Sequence, residues 1–519
     1  MRSGLSVALL DIIVLFSNNI VSKFISLVSC RVFMARTWED YTAVKKYPIL
    51  RDYVDRFRKT SFYNETPALL SFFFLQGQAV VDYVRIPVWA SYLDPRFHVF
   101  WIQPTRSGKS IAWEFIGEVA RHASIDADMF TSGTDAGLIG SFQTHKDEDG
   151  NYYTEEVPGL LNGKKLLNFD EGSILLQPSP KQFFQEVILY LQQSMNPIGS
   201  HSNTLTKHMK DGKIETESRV SFWITTFPPA GVKEYVLTKG LFQRVLLFYA
   251  PWDNDKRMQV SKRRMRGLWS DEMREVRSTE DLAQHFIEVQ SLVREHLFAC
   301  SDIDGQMWED LDENIKEERA EREAIVRGAA LQLFSKSRDF DAAVDMAVEE
   351  FYRLVSGMDA KLSDVVLSFM PNIENYLNIL ATHLVLIEKN EARNSGNYDP
   401  SEVWVIRGEH IDMAMEILYD VYERLIVWLE SDLELGATKA AKIAKVEAWQ
   451  KAIDACRNYD LGDHRGDGWV LKKDVIKSYG RLMDRSQPVV YKHYQDIRNS
   501  FKETKVSGVP YVTWKGEDN

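Results

Sequence analysis

At 519 residues, 45% of them hydrophobic, the chain can bury two or three real cores, which excludes a disordered or fibrous protein. A formal net charge of −12 excludes bulk attraction to nucleic acid, so any such contact must come from local basic surface. The three cysteines, Cys30, Cys300 and Cys456, lie far apart without metal-ligand spacing, which argues against a disulfide framework or a zinc site and fits a reducing, intracellular compartment.

Residues 1–33 form an N-terminal extension of uncertain role. The run from Leu5 to Phe33 is mostly apolar, but Asp11, Asn18, Asn19 and Lys23 interrupt it, so a membrane span is poorly supported. No small-residue cleavage site follows a basic stretch, and Met34 opens an ordinary soluble sequence. An upstream extension, a membrane-associated amphipathic helix at 5–33 and a plain core helix all remain open. Residues 34–95 read as short helices ending at the turn signal Asp94-Pro95.

From Phe97 the pattern changes to alternating strands and helices. FHVFWIQ is a buried-type strand, a seven-residue turn follows, and IAWEFIGEVARHA reads as a helix. Further strands are expected at Lys165–Phe169, Val220–Thr226 and Val245–Tyr249, which makes 96–255 an α/β unit around a parallel sheet. Residues 256–458 carry almost no strand signal and read as helical. After GDHRGDG, residues 459–519 read as a small basic module of winged-helix type.

The turn after the first strand is Gln103-Pro104-Thr105-Arg106-Ser107-Gly108-Lys109-Ser110, with Ile111 opening the helix. A strand, a loop ending Gly-Lys-Ser and a helix form the setting of a phosphate-binding loop. Gly108 would let the backbone approach the phosphates, Lys109 would reach the β and γ oxygens, and Ser110 would ligate magnesium. The first position, usually glycine, is Gln103. A second strand ends in Asp170-Glu171, where Asp170 would hold Mg2+ through water and Glu171 would polarise the attacking water of ATP hydrolysis. The bland alternative is two acids facing solvent at a strand end. A third strand ends in Thr225-Thr226, either of which could sense the γ-phosphate from between the first two, or could be only a β-former in a sheet. Arg244 precedes the last strand and could reach a neighbouring subunit's γ-phosphate, which would make hydrolysis depend on oligomers; a local salt bridge is the alternative.

The order of these blocks resembles the minichromosome maintenance (MCM) branch of AAA+ helicases, and more loosely the helicase-like proteins of viruses and plasmids. TDAGLIGS, the charged turn HKDEDGNY and VPGLLNGKKLLNFDE resemble the segment leading into that family's acidic strand. LTKHMKDGKIETESRVSFWITTFPPAG is similar to its pre-sensor hairpin, sensor strand and proline turn, and TKGLFQRVLLFY to its arginine-finger block. The likeness is close over residues 97–250. The family's sensor asparagine is absent, with the threonines and Phe227 in its neighbourhood. NIENYLNILATHLVLIEK looks like the lid segment, but Asn378 falls where a lid arginine would stand. Nothing before Phe97 resembles the family's DNA-encircling domain. The resemblance implies an AAA+ type α/β P-loop NTPase fold with a parallel sheet, followed by a helical lid or bundle and a C-terminal winged helix.

Two segments could hold DNA. Asp211-Gly212 is a hairpin turn signal with Lys207, Lys210 and Lys213 nearby, and the family's equivalent hairpin projects into the ring's pore; an ordinary solvated hairpin uses lysines too. Between Trp469 and Lys515 ten bases face four acids, so Lys492 and Arg498 on the expected second helix could contact DNA, with protein docking as the alternative. The basic run Lys262-Arg263-Arg264-Met265-Arg266 could be a solvated linker. Taken together, the expectation is an ATP- and Mg2+-dependent DNA translocase or helicase of replication, a homo-oligomer forming a hexameric ring, with other replication proteins as partners. An ATP-switched initiator that unwinds nothing and a protein-remodelling motor are the rival readings.

Overall fold

The computed structural model describes residues 38–62, 64–88, 91–130, 135–146, 151–176, 182–209, 212–228, 232, 234–237, 240–250, 254–266, 276–301, 308, 310–312, 315–356, 358, 360–432, 448–457, 469–482, 490–491, 494, 498, 501–506 and 509–514. The extension 1–33 lies outside them. Among the described residues, no helix is long and apolar enough to cross a membrane.

The centre is a sheet of β1 (Val99–Ile102), β2 (Ala127–Phe130), β3 (Gly163–Phe169), β4 (Thr204–Met209), β5 (Gly212–Thr226) and β6 (Leu246–Tyr249). Its order is β6-β1-β5-β3-β2, all parallel, with β4 paired antiparallel to the first half of β5. β1 is buried at every position, as a strand covered by helices on both faces must be. Its apolar run gives no alternation because neither face meets water.

Helices cover this sheet from both sides of the chain. α1 (Pro48–Thr60) starts with proline, whose fixed φ suits a first turn, and buries Ile49, Leu50, Tyr53, Val54 and Phe57 on one stripe. α2 (Glu65–Ala79) is buried from Thr66 to Ala79, and it shows no single apolar stripe because it runs through the core. α3 (Lys109–His122) follows β1. Beyond β6 come α4 (Asn254–Arg266), α5 (Thr279–Ser301), α6 (Lys316–Leu333), α7 (Phe340–Val355), α8 (Met370–Asn394) and α9 (Gly408–Asp432). One continuous hydrophobic cluster runs from Tyr41 to Leu429, so the N-terminal helices, the sheet and the helical region share a single core. This is an α/β fold with a mostly parallel central sheet and many helices, compatible with a P-loop NTPase.

Charged groups pin the edges of that core. Arg96 donates to both Asp94 oxygens and to the carbonyls of Ser194, Asn196, Ser218 and Val220, tying β5 to the segment before β1. Asp82, largely buried, accepts from Lys164 at 2.6 Å and Arg219 at 2.8 Å; burial would raise its pKa, but the two cations win and hold it below the ordinary carboxylate range.

Residues 448–514 build a separate core. Trp449 stacks on Tyr479 with centroids 3.8 Å apart, and Tyr494 and Phe501 close around the indole. A three-stranded antiparallel sheet, with Val509–Trp514 between Val470–Leu471 and Phe501–Val506, accompanies the helix Lys472–Leu482.

The strands expected around residues 99, 165, 220 and 246 are present, and further elements are additional among the described residues. Ile86–Val88 and Ser91–Leu93 pair antiparallel inside the stretch 34–95 expected to hold only short helices, being too short to show an alternating pattern. β2 carries Asp128 and sits at the sheet edge, so it lacks an apolar run. The segment 140–158 is a hairpin of Gly140–Lys146 with Tyr152–Pro158 rather than only a charged turn. Phe334–Lys336 and Trp404–Ile406 form a small parallel pair inside the helical region.

Candidate nucleotide site

β1 ends at Ile102 and the chain turns through 103–108 into α3. Gln103 stays in the sheet, its N–H donating to the Thr226 carbonyl at 3.0 Å. Arg106 has φ 63° and Gly108 φ 96°, both left-handed, and this reverses the backbone so that α3 starts at the loop. At Gly108 a side chain is excluded twice. The dihedral disfavours it, and a Cβ would lie 2.5 Å from the Phe62 ring.

The position where glycine is usual has a structural role. Gln103 is completely buried, and its amide donates to Asn64 Oδ1 at 3.1 Å. Asn64 in turn donates to the carbonyls of Ser61 at 2.7 Å and Ser107 at 3.0 Å. The two amides thus brace the loop from the segment joining α1 to α2. Sequence reading flagged Gln103 as a departure but gave no hint of Asn64, because the contact spans 43 residues of chain.

The loop and the acids of β3 face one open cleft, about 680 Å3 including its solvent-filled mouth. Phe62, Thr105, Arg106, Gly108, Lys109, Ser110, Ile111, Asp170, Glu171 and Phe227 line it. Pro104 is half-buried and Ser107 buried, and neither lines the cleft. Thr105, Arg106, Ser110 and Glu171 are exposed, whereas Asp170 is half-buried. Phe62 and Phe227 are aromatic walls that motif spacing did not indicate. All the described lining residues precede residue 228.

Lys109 lies between two sets of oxygens. Its ammonium donates to the carbonyls of Gln103 at 2.7 Å and Pro104 at 2.9 Å. Burial pushes its pKa down to about 8, while Asp170 and Glu171 oppose that shift. An incoming triphosphate would favour the charged amine, so binding takes up a proton once the free site has lost it. Affinity for ATP is expected to hold up to about pH 8 and then fall by up to roughly tenfold per pH unit. Calorimetric titrations from about pH 7 to about pH 10 test this, and Lys109→Arg should move the decline upward, since a guanidinium keeps its charge. A flat affinity across that range in the parent protein would contradict it.

β5 lies between β1 and β3, so its C-terminal end falls between the loop and the acids. There the two threonines diverge, as neighbours on a strand must. Thr225 Oγ1 is 3.3 Å from Asp170 Oδ1 and 3.2 Å from the Asp170 carbonyl, so it faces the acid. Thr226 instead donates to the Phe227 carbonyl at 3.1 Å. Ser173, which sequence reading missed, lies 3.3 Å from Glu171 Oε2. Ser110, Asp170 and Glu171 line the same cleft and offer oxygen ligands, the chemistry a hard divalent cation such as magnesium takes.

Arg244 lies at the other edge of the sheet. It precedes β6, whose first residue pairs with Val99, whereas the loop leaves β1 after Ile102. Four residues of strand, roughly 13 Å, therefore separate the two levels. Arg244 Nε donates to Asn196 Oδ1 at 2.8 Å and one terminal nitrogen to the Gly240 carbonyl at 2.7 Å. Burial lowers its pKa, and the side chain lines a second cavity with Asp94, Asn196, Asn372 and Tyr376. The segment resembling a lid packs on this same edge. The Tyr376 hydroxyl donates to the carbonyls of His98 and Arg244, and Asn372 donates to those of Phe242 and Val245. Asn378 Nδ2 donates to the Glu374 carbonyl of its own helix.

The hairpin β4–β5 exists, with Met209 opposite Gly212, so Gly212 is a strand residue rather than part of the turn. Lys207 is half-buried, and exposed Lys213 is 2.6 Å from Glu215, which also pairs with Lys316 of α6. A Cβ on Gly212 would come within 2.8 Å of Phe142, so this ribbon touches the hairpin 140–158. That second ribbon exposes Tyr152 and Tyr153, with Lys146 over the Tyr152 ring. Arg498 is exposed, 3.5 Å from Glu503. Lys210 and Lys492 lie outside the described residues. No family model and no curated protein sequence matches the chain.

Proposed function

We propose that the protein is an ATP-hydrolysing motor of AAA+ type, similar to the MCM helicases, that assembles into a ring and moves on or unwinds DNA. One observation carries the reading. The Gly-Lys-Ser loop and the Asp170-Glu171 pair, 61 residues apart in the chain by the interval from Lys109 to Asp170, line the same cleft, with Thr225 on Asp170 between them.

In this reading Lys109 leaves the loop carbonyls for the β and γ oxygens of ATP, and Ser110 and Asp170 would hold Mg2+, which would supply neutralising charge for the phosphates. Glu171 takes the proton of the attacking water, and Thr225 keeps Asp170 in place. Arg244 cannot serve the cleft of its own chain across the width of the sheet. A role at the next subunit's γ-phosphate, in a homo-oligomeric ring, is the one open to it as a catalytic arginine.

The two touching ribbons, with Lys207, Lys213 and the exposed Tyr152 and Tyr153, suit a DNA strand, which takes phosphate contacts and base stacking together. The small C-terminal unit, read as a winged helix, would add a second contact through Lys492 and Arg498.

Two measurements test this. ATP turnover should rise with single-stranded DNA, and an annealed oligonucleotide should be displaced; neither effect would remove the helicase reading and leave the ATP-switched initiator. Arg244→Ala should bind ATP but hydrolyse it about 1,000-fold more slowly or worse. Mixing it with Glu171→Gln should restore part of the activity at interfaces that pair an intact cleft with an intact arginine. Failure of that rescue would count against hydrolysis between subunits.

A further inference from the structure

Three features lie apart from the Lys109 cleft. Glu388, Glu409 and His410 lie close enough to suggest a metal site, but Lys46 and Arg407 already neutralise both carboxylates. His410 Nδ1 accepts from the Arg407 N–H, which leaves the other ring nitrogen to donate to Glu388. The Arg244 cavity belongs to the site already described. The third feature is α4.

α4 has the sequence NDKRMQVSKRRMR, which contains six bases, Lys256, Arg257, Lys262, Arg263, Arg264 and Arg266, and a single acid, Asp255. Six bases less one acid give +5 on 13 residues of a chain whose net charge is −12. Solubility does not call for such a concentration. The helix is held lightly. Val260 is buried and Lys256 reaches Glu65 at 3.2 Å, whereas Arg257, Met258, Lys262 and Met265 are exposed. Ala250, just after β6, donates to the Ile102 carbonyl, so β6 ends at the level of the sheet that carries the cleft. The helix's anchor Glu65 adjoins Asn64, the residue that braces the loop.

We propose that α4 is a docking surface for the phosphate backbone of nucleic acid, adding to the proposed function, on which it rests, a contact outside the ribbons and the C-terminal unit. Charge complementarity selects the partner. A helix of this length spans about 20 Å, room for several successive phosphates at roughly 3.4 Å each along one strand. An anionic membrane is disfavoured, because an interfacial helix needs a broad apolar face of Trp, Phe or Leu, and here two methionines are the only exposed apolar side chains described.

The test uses the full chain and a fluorescein-labelled oligothymidylate, with anisotropy read over a series of salt concentrations. Arg257→Glu with Lys262→Glu should weaken binding by at least about tenfold and make the salt dependence shallower by about 1.4, roughly 0.7 for each lost single-strand contact. The conservative pair Arg257→Lys and Lys262→Arg should bind like the parent, and turnover without DNA should be unchanged in both. Unaltered affinity and slope in the charge-reversed protein, with the parent binding normally, overturns this proposal alone. A parent that fails to bind the oligonucleotide at any salt overturns it together with the DNA reading. Loss of binding to phosphatidylserine vesicles with oligonucleotide binding intact also overturns it, in favour of a membrane contact.

Discussion

Glu171→Gln is expected to lower ATP turnover by about 100- to 10,000-fold while leaving nucleotide affinity close to that of the parent. Glutamine keeps the size of the side chain but cannot take a proton from water. Lys109→Ala should fail in the opposite way, losing ATP binding because the loop no longer holds a cation for the β and γ oxygens. Equilibrium binding and single-turnover hydrolysis, measured on both variants, separate the two effects. Near-normal turnover in Glu171→Gln would place the base elsewhere, and near-normal turnover in Lys109→Ala would dismiss the cleft.

A second large effect concerns stability at mildly acid pH. His98, His285 and His383 are buried, and each accepts at one ring nitrogen. His98 Nδ1 accepts from the Phe222 N–H. His383 accepts from Gln76 at Nδ1 and donates to the Pro95 carbonyl from Nε2. His285 donates to Gln76 Oε1 and accepts from Asn390. Protonation would turn each acceptor into a donor facing another N–H, inside a core that already disfavours charge. Burial accordingly lowers His98 to about 3 and both His285 and His383 to about 4, against 6.5 for an unperturbed ring.

The sign follows from which state binds the proton. Below pH 6.5 the unfolded chain takes up protons that the folded chain refuses, so stability is intact above that value and falls as pH drops toward 4. At about pH 5 each ring costs about 2 kcal/mol, and the three together about 6 kcal/mol, comparable with the whole stability of many domains. The urea midpoint should therefore drop steeply between about pH 7 and about pH 5. A midpoint constant over that interval would mean that these rings are not held neutral.

The candidate cleft was largely legible in the sequence because its parts are local. A Gly-Lys-Ser turn between an apolar strand and a helix, and a strand ending in two acids, each announce themselves within ten residues. What escaped reading depends on contacts distant in sequence. Asn64 and Phe62 reach the loop only after α1 and α2 fold back over the sheet, and nothing in the run SFYNET marks them. β2 went unseen because an edge strand with Asp128 carries no apolar pattern. The choice between Thr225 and Thr226 was beyond composition too, since both suit a strand and only the register decides which hydroxyl meets Asp170. Composition suggested separate helical regions before and after the sheet, but the apolar faces of α2, α5 and α8 meet in one cluster, which no single segment could declare.

The brace between Gln103, Asn64 and the Ser107 carbonyl bears on how the protein can be dissected. A fragment trimmed to start at β1 would retain every recognisable motif and yet leave the glutamine amide facing a void. The smallest working unit is therefore larger than its signature residues suggest, and truncations should begin upstream of α1.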